Sequence, residues 1–190
     1  MTDKVENFIH LNIDLIDSNE WDNIQYLAYK MLGSDFLGEF NQAMLDAGID
    51  PLIGVQKVYV RAFAGCKGPI KLYPECKKID MCGFMNTSIE DFTVPEGVEF
   101  IGGRGFSDCL YLKTIYLPKT LNHLGPCVFL NCPNLTKIVY NGSEAEFKAI
   151  DKADGDSPFA WFTFSTRLKS IECVVECTDA NIRIGGHGQI

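Results

Sequence analysis

Between Val98 and Tyr140 the apolar positions fall into two copies of one pattern. The copies are VEFIGGRGFSDCLYLKTIYLPKT from Val98 and LNHLGPCVFLNCPNLTKIVYNGS from Leu121. In each, an aliphatic residue (Ile101, Leu124) stands five positions before a Phe (Phe106, Phe129). A Cys follows three after the Phe (Cys109, Cys132), a Leu six after (Leu112, Leu135) and an Ile nine after (Ile115, Ile138). Self-similarity at a period of about twenty residues predicts coils stacked into a solenoid, each burying its apolar side against its neighbours.

Aligned on Phe, the register extends back to Phe84 and Phe63, with spacings of 21, 22 and 23. The aliphatic position becomes Val58, Ile79, Ile101 and Leu124, and the position three after the Phe becomes Cys66, Thr87, Cys109 and Cys132. We count four repeats, the first degenerate. Each predicts a short strand, near Ile70–Leu72, Phe92–Val94, Ile115–Leu117 and Ile138–Tyr140, with its first and third residues inward and the middle one outward. Pro74, Pro95 and Pro118 follow the first three strands, and Asn141 the fourth. Pro ends a strand because it has no N–H to donate.

Upstream the period changes to that of helices. Val5, Phe8, Ile9, Ile13 and Ile16 make one apolar stripe. Trp21, Ile24, Leu27, Ala28 and Met31 make a second, with Ser18 or Asn19 as its cap and Gly33 as its stop. Leu37, Phe40, Met44 and Ala47 make a third, begun by Ser34 and closed by Gly48 and Asp50-Pro51. Three short helices are marginal alone, so their stripes are expected to cover the apolar end of the first coil. Downstream, Phe147, Ile150, Phe159, Trp161, Phe162 and Phe164 supply area to cover the last coil, and GGHGQI ends the chain as a polar tail. The expected organisation is an acidic helical cap (1–50), repeats (51–142), and a C-terminal cap and flexible tail (143–190).

The repeats resemble the BspA-like leucine-rich repeat family, of form V-x-x-I-G-x-x-x-F-x-x-C-x-x-L-x-x-I-x-L-P. The copies at Val98 and Leu121 match it closely, those at Val55 and Cys76 loosely. YNGSEAEFKAI (Tyr140–Ile150) resembles the family's closing segment, with Phe147 in place of Trp. IECVVECTDANI (Ile171–Ile182) is similar to its final strand pair, with Ala180 in place of Gly. The resemblance covers residues 55–184 and implies an α+β fold: a short leucine-rich-repeat solenoid of about four repeats, with a three-helix cap and an aromatic C-terminal cap. An acidic helical N-terminus before a short array also resembles small accessory proteins of tailed bacteriophages. That second resemblance implies a host protein as partner, a defence component to be inhibited, or else a structural or assembly role in a virion.

Charge narrows the partners. The net charge is −8, and residues 1–50 carry all of it, with Lys4 and Lys30 their only bases. A nucleic-acid binder would show a basic face instead. No apolar run approaches the roughly 20 residues needed to span a bilayer. MTDKVENF lacks the basic and apolar regions of a secretory leader, so a cytoplasmic, reducing setting is expected for the eight Cys. Cys109 and Cys132, with Cys66 in the first repeat, occupy one repeat position, which fits core-filling thiols better than disulfides. Their spacing offers no CxxC pair for a metal.

Candidate chemistry is sparse. His123 and Cys127 are four apart, which admits a Cys–His dyad, but no third residue orients it. Gly102–Gly105 (GGRG) lacks the GK[ST] of a phosphate loop and fits a solenoid corner. Asp151, Asp154 and Asp156 lack the spacing of a calcium loop. His10 reads as a surface residue of the first helix, and His187 lies in the tail. We therefore expect no enzyme and no cofactor. The stronger candidate is a surface: Thr93, Tyr116 and Val139 outward on successive strands, extended by Tyr73 and flanked by Glu90, Asp91, Lys113, Thr114 and Lys137. The acidic helices add Asp14, Asp17, Glu20 and Asp22 as a second candidate for a protein partner. An ordinary solvated face accounts for the strand residues equally well and for the acidic helices better.

Overall fold

The structure is a computed structural model that describes residues 1–152 and 173–184. Four helical segments open the chain: α1 (Asp3–Leu11), α2 (Ile13–Asp17), α3 (Trp21–Leu32) and α4 (Ser34–Asp46). The first expected helix is thus divided at Asn12, whose φ of −122° leaves the helical region and whose side chain donates to the Phe8 carbonyl at 2.7 Å. Ile13 is consequently exposed rather than part of the stripe. In α3 the buried stripe is Trp21, Ile24, Gln25, Ala28 and Leu32, which turns Met31 outward. Ala47 likewise falls outside α4 and is exposed.

The coils then build two largely parallel sheets, the first coil contributing to one of them. Sheet A comprises β1 (Lys57–Val58), β2 (Lys78–Ile79), β4 (Phe100–Ile101), β6 (His123–Leu124) and β8 (Asp151–Lys152), in that spatial order. Sheet B runs β3 (Asp91–Thr93), β5 (Thr114–Leu117), β7 (Lys137–Tyr140), β9 (Cys173–Glu176) and β10 (Asn181–Ile184). All pairs are parallel except β9 with β10, which forms the closing hairpin. Its turn closes through Cys177 N–H to the Ala180 carbonyl at 2.8 Å, and no residue of it has positive φ, so Ala serves where the family has Gly.

A third side of each coil lies around the Phe. Two residues per coil adopt left-handed φ: Arg61 and Gly65, Cys82 and Asn86, Arg104 and Asp108, Cys127 and Asn131. They stand two before and two after the Phe. This backbone aims alternate N–H groups at the next coil: Phe63 donates to Gly83, Phe84 to Gly105 and Phe106 to Val128, at 2.8–2.9 Å. The coils are thereby hydrogen-bonded on three sides with few strand residues.

Phe63, Phe84, Phe106 and Phe129 stack down the axis, with centroids 5.4–6.1 Å apart. Cys109 and Cys132 are fully buried beside them, and each thiol donates to the carbonyl of the preceding coil's Phe, at 3.2 and 3.0 Å. In the first coil Cys66 makes the same bond to Gly38 of α4 at 3.3 Å, so α4 replaces the missing coil. A Cβ on Gly38 would lie 2.7 Å from the Ala64 carbonyl oxygen, which explains a glycine inside this helix. Gln25 and Asn41, both buried, bond each other and reach the carbonyls of Pro51 and Ala62. At the other end α5 (Glu144–Ala149) starts with a Ser143/Glu146 capping box and buries Phe147. The other aromatics expected in that cap, Phe159, Trp161, Phe162 and Phe164, lie outside the described residues.

One expected strand is missing. Among the described residues, the stretch Ile70–Leu72 pairs with no strand. Later coils bury a side chain at Ile89, Leu112 or Leu135 on the way into sheet B, whereas the first coil has Gly68-Pro69. Measured from the following Pro, β3 and β5 bury the first and third preceding residues, but the first coil buries the second, Leu72. A parity inverted by one residue cannot share a sheet face with β3.

Candidate protein-interaction surface

Sheet B presents one open face. Its register sets Thr93 opposite Tyr116, Tyr116 opposite Val139 and Val139 opposite Glu176. A neighbouring row holds Asp91, Thr114, Lys137 and Val174. Inward partners Phe92, Ile115 and Ile138 are buried, so the strand alternation sends these two rows outward. Tyr116, on the strand next to the β3 edge, is 43% exposed. Lys113 pairs with Glu90 and Lys137 with Glu176, both at 2.7 Å. Each carboxylate raises its lysine's pKa, chiefly through that hydrogen bond. Two of the lysines at the rim are thus neutralised between coils, Asp91 stays without an ion pair among the described residues, and Tyr116, Thr93 and Val139 offer the uncharged contact atoms.

Tyr73 stands apart from this row, since its coil has no strand there. Its hydroxyl donates to Asp50 at 2.7 Å and its ring lies under the Lys71 ammonium. Between this stretch and β3 a cleft of about 550 Å³ opens, lined by Ile70, Leu72, Tyr73, Phe92 and Thr93. Among the acidic helical residues, Asp14, Asp17 and Glu20 are exposed, whereas Asp22 accepts the Gln56 N–H at 2.8 Å and ties α3 to the first coil.

Sheet A carries a second ladder that the sequence reading missed. Lys57, Lys78, Phe100, His123 and Asp151 stand in register on its outer side. Lys57 and Lys78 both pair with Asp80, at 2.8 and 3.3 Å. The Lys78 ammonium lies 4.4 Å from the Phe100 centroid, and the His123 ring stacks on Phe100 at 4.4 Å. His123 Nδ1 is 2.8 Å from Asp151. The available signal was the residue just before each buried aliphatic, but two-residue strands show no alternation to read.

Nucleophilic chemistry has little support here. Burial pushes the thiols of Cys66 and Cys173 up to about 12 and that of Cys76 up to about 11. The Cys132 thiol is pushed up by its hydrogen bond with Cys109 and by burial. Such thiols hold their protons at neutral pH. Cys127 is buried, at a left-handed position of the third coil side. Gly102–Gly105 is a coil corner: Gly102 N–H donates to Ile79, and Arg104 N–H to Pro126. Among the described residues no three His, Cys, Asp or Glu side chains gather as metal ligands, and no helix is long and apolar enough to cross a membrane.

Comparison with known proteins places this geometry. Similar solved structures include a leucine-rich repeat protein from Eubacterium ventriosum, 23% identical over 47% of this chain and 25% of that one, with a TM-score of 0.44. Another is a leucine rich cell surface protein from Faecalibacterium prausnitzii, 22% identical over 53% of this chain and 34% of that one, with a TM-score of 0.42. This chain therefore spans only a quarter to a third of those proteins' lengths. No curated protein sequence matches it. A family model does: the BspA type leucine rich repeat region, in six copies over residues 48–151. With its stacked Phe residues, repeated thiols and coil-to-coil ladders, this chain belongs to the BspA-type leucine-rich repeat family.

Proposed function

We propose that this protein is a non-catalytic binding module that holds a protein partner on the outer face of sheet B. The observation that carries this reading is Tyr116, exposed on β5 between Thr93 of the edge strand β3 and Val139 of the central strand β7. Tyr supplies large contact area at low entropic cost and dominates interface hot spots. The flanking ion pairs leave few uncompensated charges to desolvate.

The finer proposal concerns the partner. The similarity of an acidic helical N-terminus plus short array to tailed-phage accessory proteins supports a host-cell protein, a defence component to be inhibited in the cytoplasm. A part in virion structure or assembly is the second reading, and stoichiometric presence in purified particles would favour it. The test is affinity capture from host-cell lysate at low and high salt. Exposed charge contacts are screened at high salt, and an apolar face is not. We predict one dominant partner that survives high salt. A partner released by salt would move the contact to Asp14, Asp17 and Glu20, and no partner at all would sink the binding reading.

A further inference from the structure

Among the described residues, sheet B ends at β3 with backbone groups of that edge unpaired, beside a cleft. In a parallel pair, alternate residues turn both N–H and C=O toward the neighbour. The Glu90 carbonyl accepts from Thr114, and Val94 N–H donates to the Tyr116 carbonyl. Phe92 is therefore the β3 residue that serves β5, and Asp91 and Thr93 point their N–H and C=O to the open edge. Among the described residues no backbone hydrogen bond joins 69–74 to 91–95. The first coil is held near both ends of this stretch, by Ser88 N–H on the Cys66 carbonyl and Lys77 N–H on the Gln56 carbonyl, and bows out between them. The resulting cleft, about 550 Å³, has Ile70, Leu72 and Phe92 in its wall.

We infer that this cleft takes an extended segment of a partner protein, which adds to β3 as a further strand of sheet B. The inference rests on the protein-binding reading above and names the partner's form. Strand addition supplies main-chain bonds from the edge, and a flanking pocket selects alternate side chains. The apolar wall takes an aliphatic side chain of the segment. Asp91 lines the cleft as an exposed carboxylate with no ion pair among the described residues, and Lys71, the cation of the lining, lies over the Tyr73 ring. The segment accordingly carries alternate aliphatic residues, with a Lys or Arg opposite Asp91. A second copy of this chain fits worse, because pairing along β3 would bring its own Asp91 to the same edge.

The test probes the full-length protein against an array of short random-sequence peptides. Bound peptides should share alternate aliphatic positions and an excess of Lys or Arg. Thr93→Pro removes the edge N–H, and Asp91→Lys reverses the charge without touching the core. Each should weaken the bound peptides at least about tenfold, the worth of roughly one hydrogen bond. Thermal unfolding checks that both variants remain folded. An array without binders, or binders indifferent to both folded variants, overturns the inference. A lysate partner lost with Tyr116→Ala but kept with Thr93→Pro and Asp91→Lys overturns the cleft and leaves the face. A partner lost with the latter two and kept with Tyr116→Ala supports the cleft and overturns the face. One kept by all three overturns both.

Discussion

At the residue scale, two positions per coil decide the geometry. Phe106 is fully buried between Phe84 and Phe129 in the axial stack. Phe106→Ala should cost about 3–5 kcal/mol in chemical denaturation, because the hole cannot collapse between hydrogen-bonded coils. The Phe stack was legible in the sequence, since spacing alone brings Phe63, Phe84, Phe106 and Phe129 into register. The left-handed positions were legible in principle and overlooked. Gly65, Asn86, Asp108 and Asn131 are the residue types that tolerate this backbone, and all stand two after the Phe. Asn131 has φ 55° and donates to Asp108 at 2.9 Å. Asn131→Val should therefore lose about 1–3 kcal/mol, while Asn131→Gly loses much less. Equal losses in the same denaturation assay would contradict the assigned backbone.

At the element scale, α4 stands in for a coil and α5 closes the last one. Gly38 tests the first junction. Gly→Ala inside a helix gains up to about 1 kcal/mol, but overlap with a backbone oxygen costs about 1–3. The overlap wins, so Gly38→Ala should lower the unfolding midpoint rather than raise it. Glu146 tests the second. Its bonds to Ser143, the backbone N–H first, and its pairing with Lys119 hold its pKa down from 4.5 to about 2. A depressed carboxylate stabilises fully above its unfolded pKa, and the contribution is lost as pH falls through the folded one. Glu146→Gln should thus be less stable than the parent above pH 4.5, with the gap closing toward pH 2 in denaturation run across that range. The four-residue recurrence Ile9, Ile13 predicts a continuous first helix, which the non-helical Asn12, its side chain bonded to the Phe8 carbonyl, divides. The first-coil strand misled for a different reason. Ile70 and Leu72 look like strand residues, but Gly68-Pro69 removes the side chain that would pull them into the sheet.

At the scale of the whole molecule, three-sided hydrogen bonding makes a rigid support, and the outer faces are free to vary. Inside–outside alternation located Thr93, Tyr116 and Val139 from sequence because the buried residues on either side are strongly apolar. Sheet A's ladder and the β3 cleft depend on which coils approach each other, and no local pattern encodes that. The central claim is that Tyr116 serves contact and not the fold. It is tested most directly by Tyr116→Ala, with partner capture and thermal unfolding measured on one preparation. The account predicts an unfolding midpoint near the parent's and loss of the dominant partner. An unfolded variant, or a folded one that retains the partner, would contradict it.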